Sequence, residues 1–90
     1  KNHVQQEIRI TDNNKKIEKN FNIIVANILA KPLIELAPYF YKKLNQDGVI
    51  CLSGILEGQI NIIKDAYLKY FNLSEIKIKD GWVMMSGIKL

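Results

Sequence analysis

One carboxamide is the first place in this chain where chemistry could happen. An unbroken apolar run, Ile23-Ile24-Val25-Ala26, stops at Asn27 and continues as Ile28-Leu29-Ala30-Lys31-Pro32. Apolar residues facing both ways suit a strand buried between two helix layers, as in parallel α/β sheets. Asn27 then sets an amide at the carboxyl end of that strand, where open α/β sheets hold their ligands. Pro32 suits the first turn of a following helix. A second polar point, Ser53-Gly54, closes the apolar run Val49-Ile50-Cys51-Leu52. Ser53 reads as a turn or helix-capping hydroxyl, and Gly54 admits the close approach of another group. From the residues alone Asn27 reads two ways, as a ligand-facing amide or as a helix-entry residue satisfying local backbone groups.

The other reactive side chains supply little. Cys51 is the only cysteine, which excludes an internal disulfide, and inside an apolar run it reads as a small buried hydrophobe rather than a nucleophile. His3 is the only histidine, so a histidine-built metal site or triad lacks material, and no metal is expected. Trp82, beside a turn, reads as core or lid packing rather than a substrate platform, and Met84-Met85 as core filler. The lysines at 15, 16, 42, 43, 77, 79 and 89 are scattered and read as solvated faces.

The elements that must position Asn27 follow from periodicity. Glu7-Ile8-Arg9-Ile10-Thr11 alternates as a short half-buried strand. Asp12 to Lys16 is turn-forming, and Ile17 to Asn22 suggests a partial helical turn or loop. The buried strand runs from Phe21 or Asn22 to Ile28. From Lys31 to Leu44, apolar spacings of three, four and seven describe one helical face. Pro38 removes one hydrogen bond of that helix and is expected to bend it, and Asn45-Gln46-Asp47-Gly48 stops it with a glycine for a left-handed or tight turn. Val49 to Leu52 is the second buried strand, with Ser53-Gly54 as its tip. Glu57 to Phe71 reads as a second amphipathic helix. Two buried strands joined by a helix imply a parallel pair. Glu75-Ile76-Lys77-Ile78-Lys79 alternates strictly, Asp80-Gly81 signals a tight hairpin, and Trp82 to Ile88 is more apolar. The second arm of this hairpin is therefore expected nearer the sheet centre, with the lysine-bearing arm guarding the edge.

Bulk properties limit the class. Ninety residues with a 48% hydrophobic fraction make one small folded unit or a piece of a larger one. No apolar stretch approaches the roughly 18 residues of a membrane span, and Lys1 to Gln6 lacks a signal-type apolar segment, so cytoplasmic residence and no membrane partner are expected. The net charge of +4 permits an acidic partner without demanding one.

Three stretches then carry a resemblance. Ile24-Val25-Ala26-Asn27-Ile28-Leu29-Ala30 with Pro32-Leu33-Ile34-Glu35-Leu36-Ala37-Pro38, Leu52-Ser53-Gly54-Ile55-Leu56, and Asp80-Gly81-Trp82-Val83 resemble, in content and spacing, the ribosomal-protein-L-eleven methyltransferase family, PrmA. The resemblance implies an α/β fold: the second half of a Rossmann-like class I methyltransferase, with parallel strands, crossover helices and a C-terminal antiparallel hairpin. It implies S-adenosylmethionine as cofactor, and amino groups of a large-subunit ribosomal protein as substrate, with no direct nucleic-acid binding. It places Asn27 at the motif that faces the transferred methyl group, as both catalytic and cofactor-facing residue. The backbone carbonyl of Ile28 is the second acceptor for the substrate amine, and Leu29, Ser53 and Gly54 form the active-site rim.

The chain also departs from that family. It has no glycine-rich first loop and no acidic residue after a second strand to bind the ribose. Residues 1–90 therefore read as the C-terminal portion of a catalytic domain without its cofactor-binding half or substrate-recognition domain. Such a piece is expected to bind the cofactor weakly and to be inactive alone. In the family's strand order the segment Glu7 to Thr11 is not the neighbour of the Asn27 strand. The vacated edge is expected to be filled either by that segment or by self-association with another copy. Two other readings remain open here: another class I amine or RNA methyltransferase, and a non-enzymatic α/β interaction module that recruits partners by strand addition. Ile28-Leu29-Ala30 lacks the aromatic platform on which a flipped base would stack.

Overall fold

The computed structural model describes residues 7–11 and 20–90. Strand β1 (Glu7–Ile10) is followed by β2 (Phe21–Asn27), helix α1 (Ala30–Lys43), strand β3 (Leu44–Leu56), a single 3₁₀ turn at Glu57–Gln59, helix α2 (Ile60–Tyr67), and strands β4 (Phe71–Lys79) and β5 (Trp82–Lys89). The five strands form one sheet in the order β1-β2-β3-β5-β4. β1, β2 and β3 are parallel, and β5 runs antiparallel to both β3 and β4. The hairpin's apolar arm is thus inserted and its lysine-bearing arm lies at the edge, as the alternation implied. Asp80 and Gly81 both take positive φ, 53° and 81°, the pattern of a two-residue turn that matches strand twist.

Alternate residues of every strand turn toward the helices. Ile10, Ile24, Ala26, Ile50, Leu52, Ile55, Val83 and Met85 are buried there with Leu33, Ala37 and Phe40 of α1 and Ile63 and Tyr67 of α2. Leu33, Ala37 and Phe40 recur at helical spacing, which is what makes α1 amphipathic. α1 continues unbroken through Pro38, whose missing N–H leaves only the carbonyl four residues back without its helical donor.

Several sequence expectations are corrected. Among the described residues one helix layer covers the sheet, not two: Ile23, Val25, Val49 and Cys51 on the opposite face are only half-buried. Cys51 is accordingly a partly exposed free thiol, held up in pKa by burial first and by the Glu7 and Glu75 carboxylates next, against the opposing pull of Arg9. The second helix is shorter than its apolar period. It ends at Tyr67, and Tyr70 N–H closes a tight turn on Tyr67 O at 3.0 Å. Phe71 then leaves the helix to open β4, packing at a tilt against Tyr67 (5.6 Å, 33°) and edge-on to Tyr41 (6.1 Å, 84°) while pairing with Lys89. Aromatic packing and a strand partner outweigh one more helical turn. Residues 45–48, expected as the stop of α1, lie within β3, which begins directly at Leu44, and the left-handed conformation there falls on Asp47 (φ 64°), not Gly48. Gly48 is needed for room, since a Cβ there would lie 2.7 Å from Asn45 O. The vacated edge of β2 is occupied by β1, in register from Glu7–Ile23 to Ile10–Ala26, so that edge does not offer itself to another copy. The predicted turn and partial helix within residues 12–19, and His3, lie outside the described residues.

The most buried polar contact in the core joins the two helices: Tyr67 Oη donates to Leu33 O at 2.7 Å. Burial pushes this phenol far above its ordinary value. Because the folded pKa is raised, the stabilisation holds below the unfolded tyrosine's pKa of about 10 and is lost progressively as pH rises beyond it. Equilibrium denaturation should therefore show stability falling from about pH 10 upward. Tyr67→Phe should cost about 1 kcal/mol at neutral pH and weaken that alkaline decline.

Candidate active site

β2 delivers Asn27 to the carboxyl end of the parallel strands, beside Ser53 of β3. The side chain is exposed, and among the described residues its carboxamide has no hydrogen-bond partner. It is therefore not spent on capping α1, whose N-cap residue is Leu29 and carries no side-chain cap. The local reading of Asn27 as a helix-entry residue fails on this geometry.

The next acceptor comes from the backbone. An α-helix draws the carbonyl of Ile28 to the N–H of the residue four positions later, but that residue is Pro32, which has none. The first bond of α1 runs from Leu33 N–H to Leu29 O at 3.1 Å. Ile28 precedes the N-cap, so its carbonyl lies outside the helical ladder, and Pro32 offers it no donor.

Ser53 and Gly54, read from sequence as a strand tip, form a bulge instead. Leu52 pairs with Met85 and Ile55 with Val83, so β3 carries one residue more than β5 between these pairs. Gly54 takes φ +79° to make the detour, and Ile55 returns to the buried face. A Cβ on Gly54 would stand 2.5 Å from Asn27 Oδ1 and 3.4 Å from Ile28 O. Both acceptor oxygens therefore flank one point, and only glycine leaves that point open.

Two clefts meet here. One, of about 560 Å³, is lined by Thr11, Ile28, Leu29 and Pro32 together with Asn27, Gly54 and Trp82. The other, of about 470 Å³, shares Asn27, Gly54 and Trp82 and adds Ser53, Lys77, Lys79, Val83 and Met84. All the residues picked out by sequence, Asn27, Ile28, Leu29, Ser53 and Gly54, are thus brought together. Trp82, expected as core or lid packing, is not in the core: it is 55% exposed and lines both clefts. Met84, likewise assigned to the core, lies exposed at the second cleft while Met85 is buried. The signal for Trp82 was its place directly after the hairpin turn, where a large apolar side chain has little sheet to cover it. Lys77 and Lys79 line the second cleft and are not merely solvated.

The chemistry this site offers is narrow. Among the described residues its lining includes no carboxylate, histidine or cysteine, and no group of metal-binding side chains occurs. What it presents is a pair of carbonyl-type oxygens, an exposed indole and two cations at one rim. That suits binding and orienting an N–H donor.

Comparison with known proteins gives this geometry a setting. Residues 1–89 match the family described as ribosomal protein L11 methyltransferase (PrmA). A ribosomal protein L11 methyltransferase of Ectopseudomonas mendocina is 46% identical over 67 residues, covering 74% of this chain and 23% of that protein. One of Hahella chejuensis is 42% identical over 73 residues, covering 81% of this chain and 25% of that protein. The crystal structure of ribosomal protein L11 methylase from Lactobacillus delbrueckii subsp. bulgaricus aligns with a TM-score of 0.77 at 31% identity, over 81% of this chain and 38% of that one. The chain spans about a quarter of the length of the curated relatives it matches.

The bulge yields a paired test. Gly54→Ala should destabilise the chain by about 1–2 kcal/mol through its left-handed backbone and displace the Asn27 carboxamide. The displacement should appear as a shift of the Asn27 side-chain amide resonances. Gly58→Ala, where a Cβ meets nothing within 4 Å, should leave both stability and those resonances unchanged.

Proposed function

The chain belongs to the ribosomal protein L11 methyltransferase (PrmA) family, and on that premise we propose that it forms the amine-orienting wall of an S-adenosylmethionine-dependent protein N-methyltransferase. The substrate in this reading is a large-subunit ribosomal protein, the setting is the cytoplasm, and residues 1–90 are the C-terminal portion of the catalytic domain. The glycine-rich cofactor-binding half and the substrate-recognition domain are supplied by other parts of a longer enzyme. No helix among the described residues is long and apolar enough to cross a membrane.

The observation that carries this reading is the convergence of Asn27 Oδ1 and Ile28 O on the space left open by Gly54. A primary amine attacks through its lone pair, and its N–H bonds are what a protein can hold. Two acceptors on one side of the nitrogen fix two N–H bonds and aim the lone pair away from them, which is orientation catalysis. S-adenosylmethionine, when bound, supplies an electrophilic methyl group on a sulfonium. The open cleft beside Asn27 and Gly54 fits one wall of a site for it, since a Cβ at Gly54 would fill the approach. Leu29 and Ser53 form the rim.

The attacking amine must also be neutral. Lys77 and Lys79, on β4, line the second cleft together with Asn27, and like charges disfavour an ammonium beside them. They oppose protonation of the incoming amine. Trp82, shared by both clefts, offers an apolar wall against which a methylated amine loses little on desolvation.

Two measurements on a full-length enzyme carrying this segment test the proposal. Asn27→Ala should slow single-turnover methyl transfer by about 10²-fold, the scale expected when a reacting group loses its orientation, while cofactor affinity changes little. Unchanged turnover would remove Asn27 from the reaction. Replacing Lys77 and Lys79 together by Gln should move the rising limb of the pH–rate profile to higher pH, because the substrate amine then keeps its proton longer. An unmoved profile would count against their electrostatic part.

A further inference from the structure

Leu29 breaks two local rules at once. It is the N-cap residue of α1, a position that favours Ser, Thr, Asp or Asn, and it supplies no side-chain cap. It is also 75% exposed, more than any other large hydrophobic side chain among the described residues. The apolar residue that a helix entry wants stands one position earlier, where Ile28 is buried in the same core as Leu33. A lone exposed leucine needs no explanation. This one forgoes a cap, adds nothing to the core, and lines the cleft beside Asn27, Ile28 and Trp82. Broken local rules of this kind collect at functional sites.

Its place in the chain says what it can touch. Ile28 O and Leu29 Cα belong to one planar trans peptide group and lie on the same side of its C–N bond, about 2.8 Å apart. An amine held by that carbonyl at about 2.9 Å therefore sits within about 6 Å of Leu29 Cα, where a leucine side chain reaches it. What is attached to the amine then decides what Leu29 meets. Behind a main-chain α-amine stands a carbon that carries the polar backbone. Behind a lysyl amine stand four methylenes, and such stems bury along apolar surface while the nitrogen keeps polar company. An isobutyl group offers no hydrogen bond and favours only the second. Trp82, 55% exposed in the same cleft, adds another apolar surface. Building on the amine-orienting reading above, we propose that Leu29 is a specificity-determining residue, selecting amines borne on a methylene chain over the main-chain α-amine by packing against the stem. Each buried methylene is worth about fourfold in affinity, so losing the cover of two costs about tenfold.

Leu29→Ser in a full-length enzyme carrying this segment is the test. Lysyl and α-amines of one ribosomal-protein substrate compete for limiting S-adenosylmethionine, and mass spectrometry locates the first methyl groups, which gives the ratio of kcat/KM for the two amines. That ratio should fall by about tenfold in the variant. With the substrate's N-terminus acetylated, the loss on lysines should appear in KM, because the stem contact is made equally before and during transfer. Tm should rise, since serine caps α1 and leucine does not, whereas a residue that merely supported the fold would lose stability. Leu29→Met, which keeps a flexible apolar side chain, should hold the ratio near the parent's. An unchanged ratio, a loss confined to kcat, weakened binding of S-adenosylmethionine, or a parent enzyme that methylates only the α-amine overturns the proposal. Asn27→Ala tells its failure from that of the underlying reading, because loss of orientation should slow transfer to both amines alike. If Asn27→Ala slows neither, the orienting role fails; if it slows both while Leu29→Ser leaves the ratio intact, only the role of Leu29 fails.

Discussion

The missing side chain of Gly54 is the constraint around which the rest is arranged. A residue with a Cβ would press on the Asn27 carboxamide oxygen and crowd the Ile28 carbonyl, and its backbone would resist the positive φ that the detour needs. With glycine there, β3 makes its bulge, Ile55 regains the core, and the strand goes on to pair Leu56 with Trp82. The same detour therefore leaves two oxygens accessible at the strand ends and brings the indole of Trp82 to the site. Packing and the shape of the cleft depend on one absent methyl group.

Much of this architecture could be read from residue order, and the reasons differ by element. β2 announced itself because an apolar run of this kind is too short for a helix and ends in an amide. The hairpin was legible because strict alternation flanks Asp80-Gly81, and because one arm is charged and the other apolar. Asn27 could be singled out because a polar residue at the end of a buried strand needs a reason to be there. What periodicity hid were competitions decided in three dimensions. The apolar spacing of α2 runs on through Tyr70 and Phe71, yet Phe71 gains more from Tyr41, Tyr67 and a strand partner than from another helical turn. The bulge leaves no mark on hydrophobic alternation beyond a Ser-Gly pair, which also suits a strand tip.

The exposed side of the sheet was hidden for a related reason. Ile23 and Val25 are as apolar as Ile24 and Ala26, so the pattern alone asks for cover on both faces, and α1 and α2 supply only one. Sequence gives the demand for burial and does not say which molecule meets it. The role of Pro32 shows the converse. Its position at a helix start was plain, but its effect on the Ile28 carbonyl emerges only when the donor that a proline lacks is counted against the acceptor four residues earlier.

The position of β5 bears on how such a polypeptide is made. The last strand in chain order lies inside the sheet, between β3 and β4, and β3 and β4 have no pairing without it. Translation delivers residues in order, so β3 must wait, one edge open to water or to a neighbour, until Trp82 to Lys89 has cleared the ribosome. The closing contacts sit at the far end of that strand: Lys89 Nζ reaches Leu44 O at 2.7 Å, and Leu90 N–H bonds Tyr70 O at 2.9 Å. Before Trp82–Lys89 has emerged the sheet is unzipped, so for this topology the interval before the hairpin emerges is when a nascent chain most needs a chaperone.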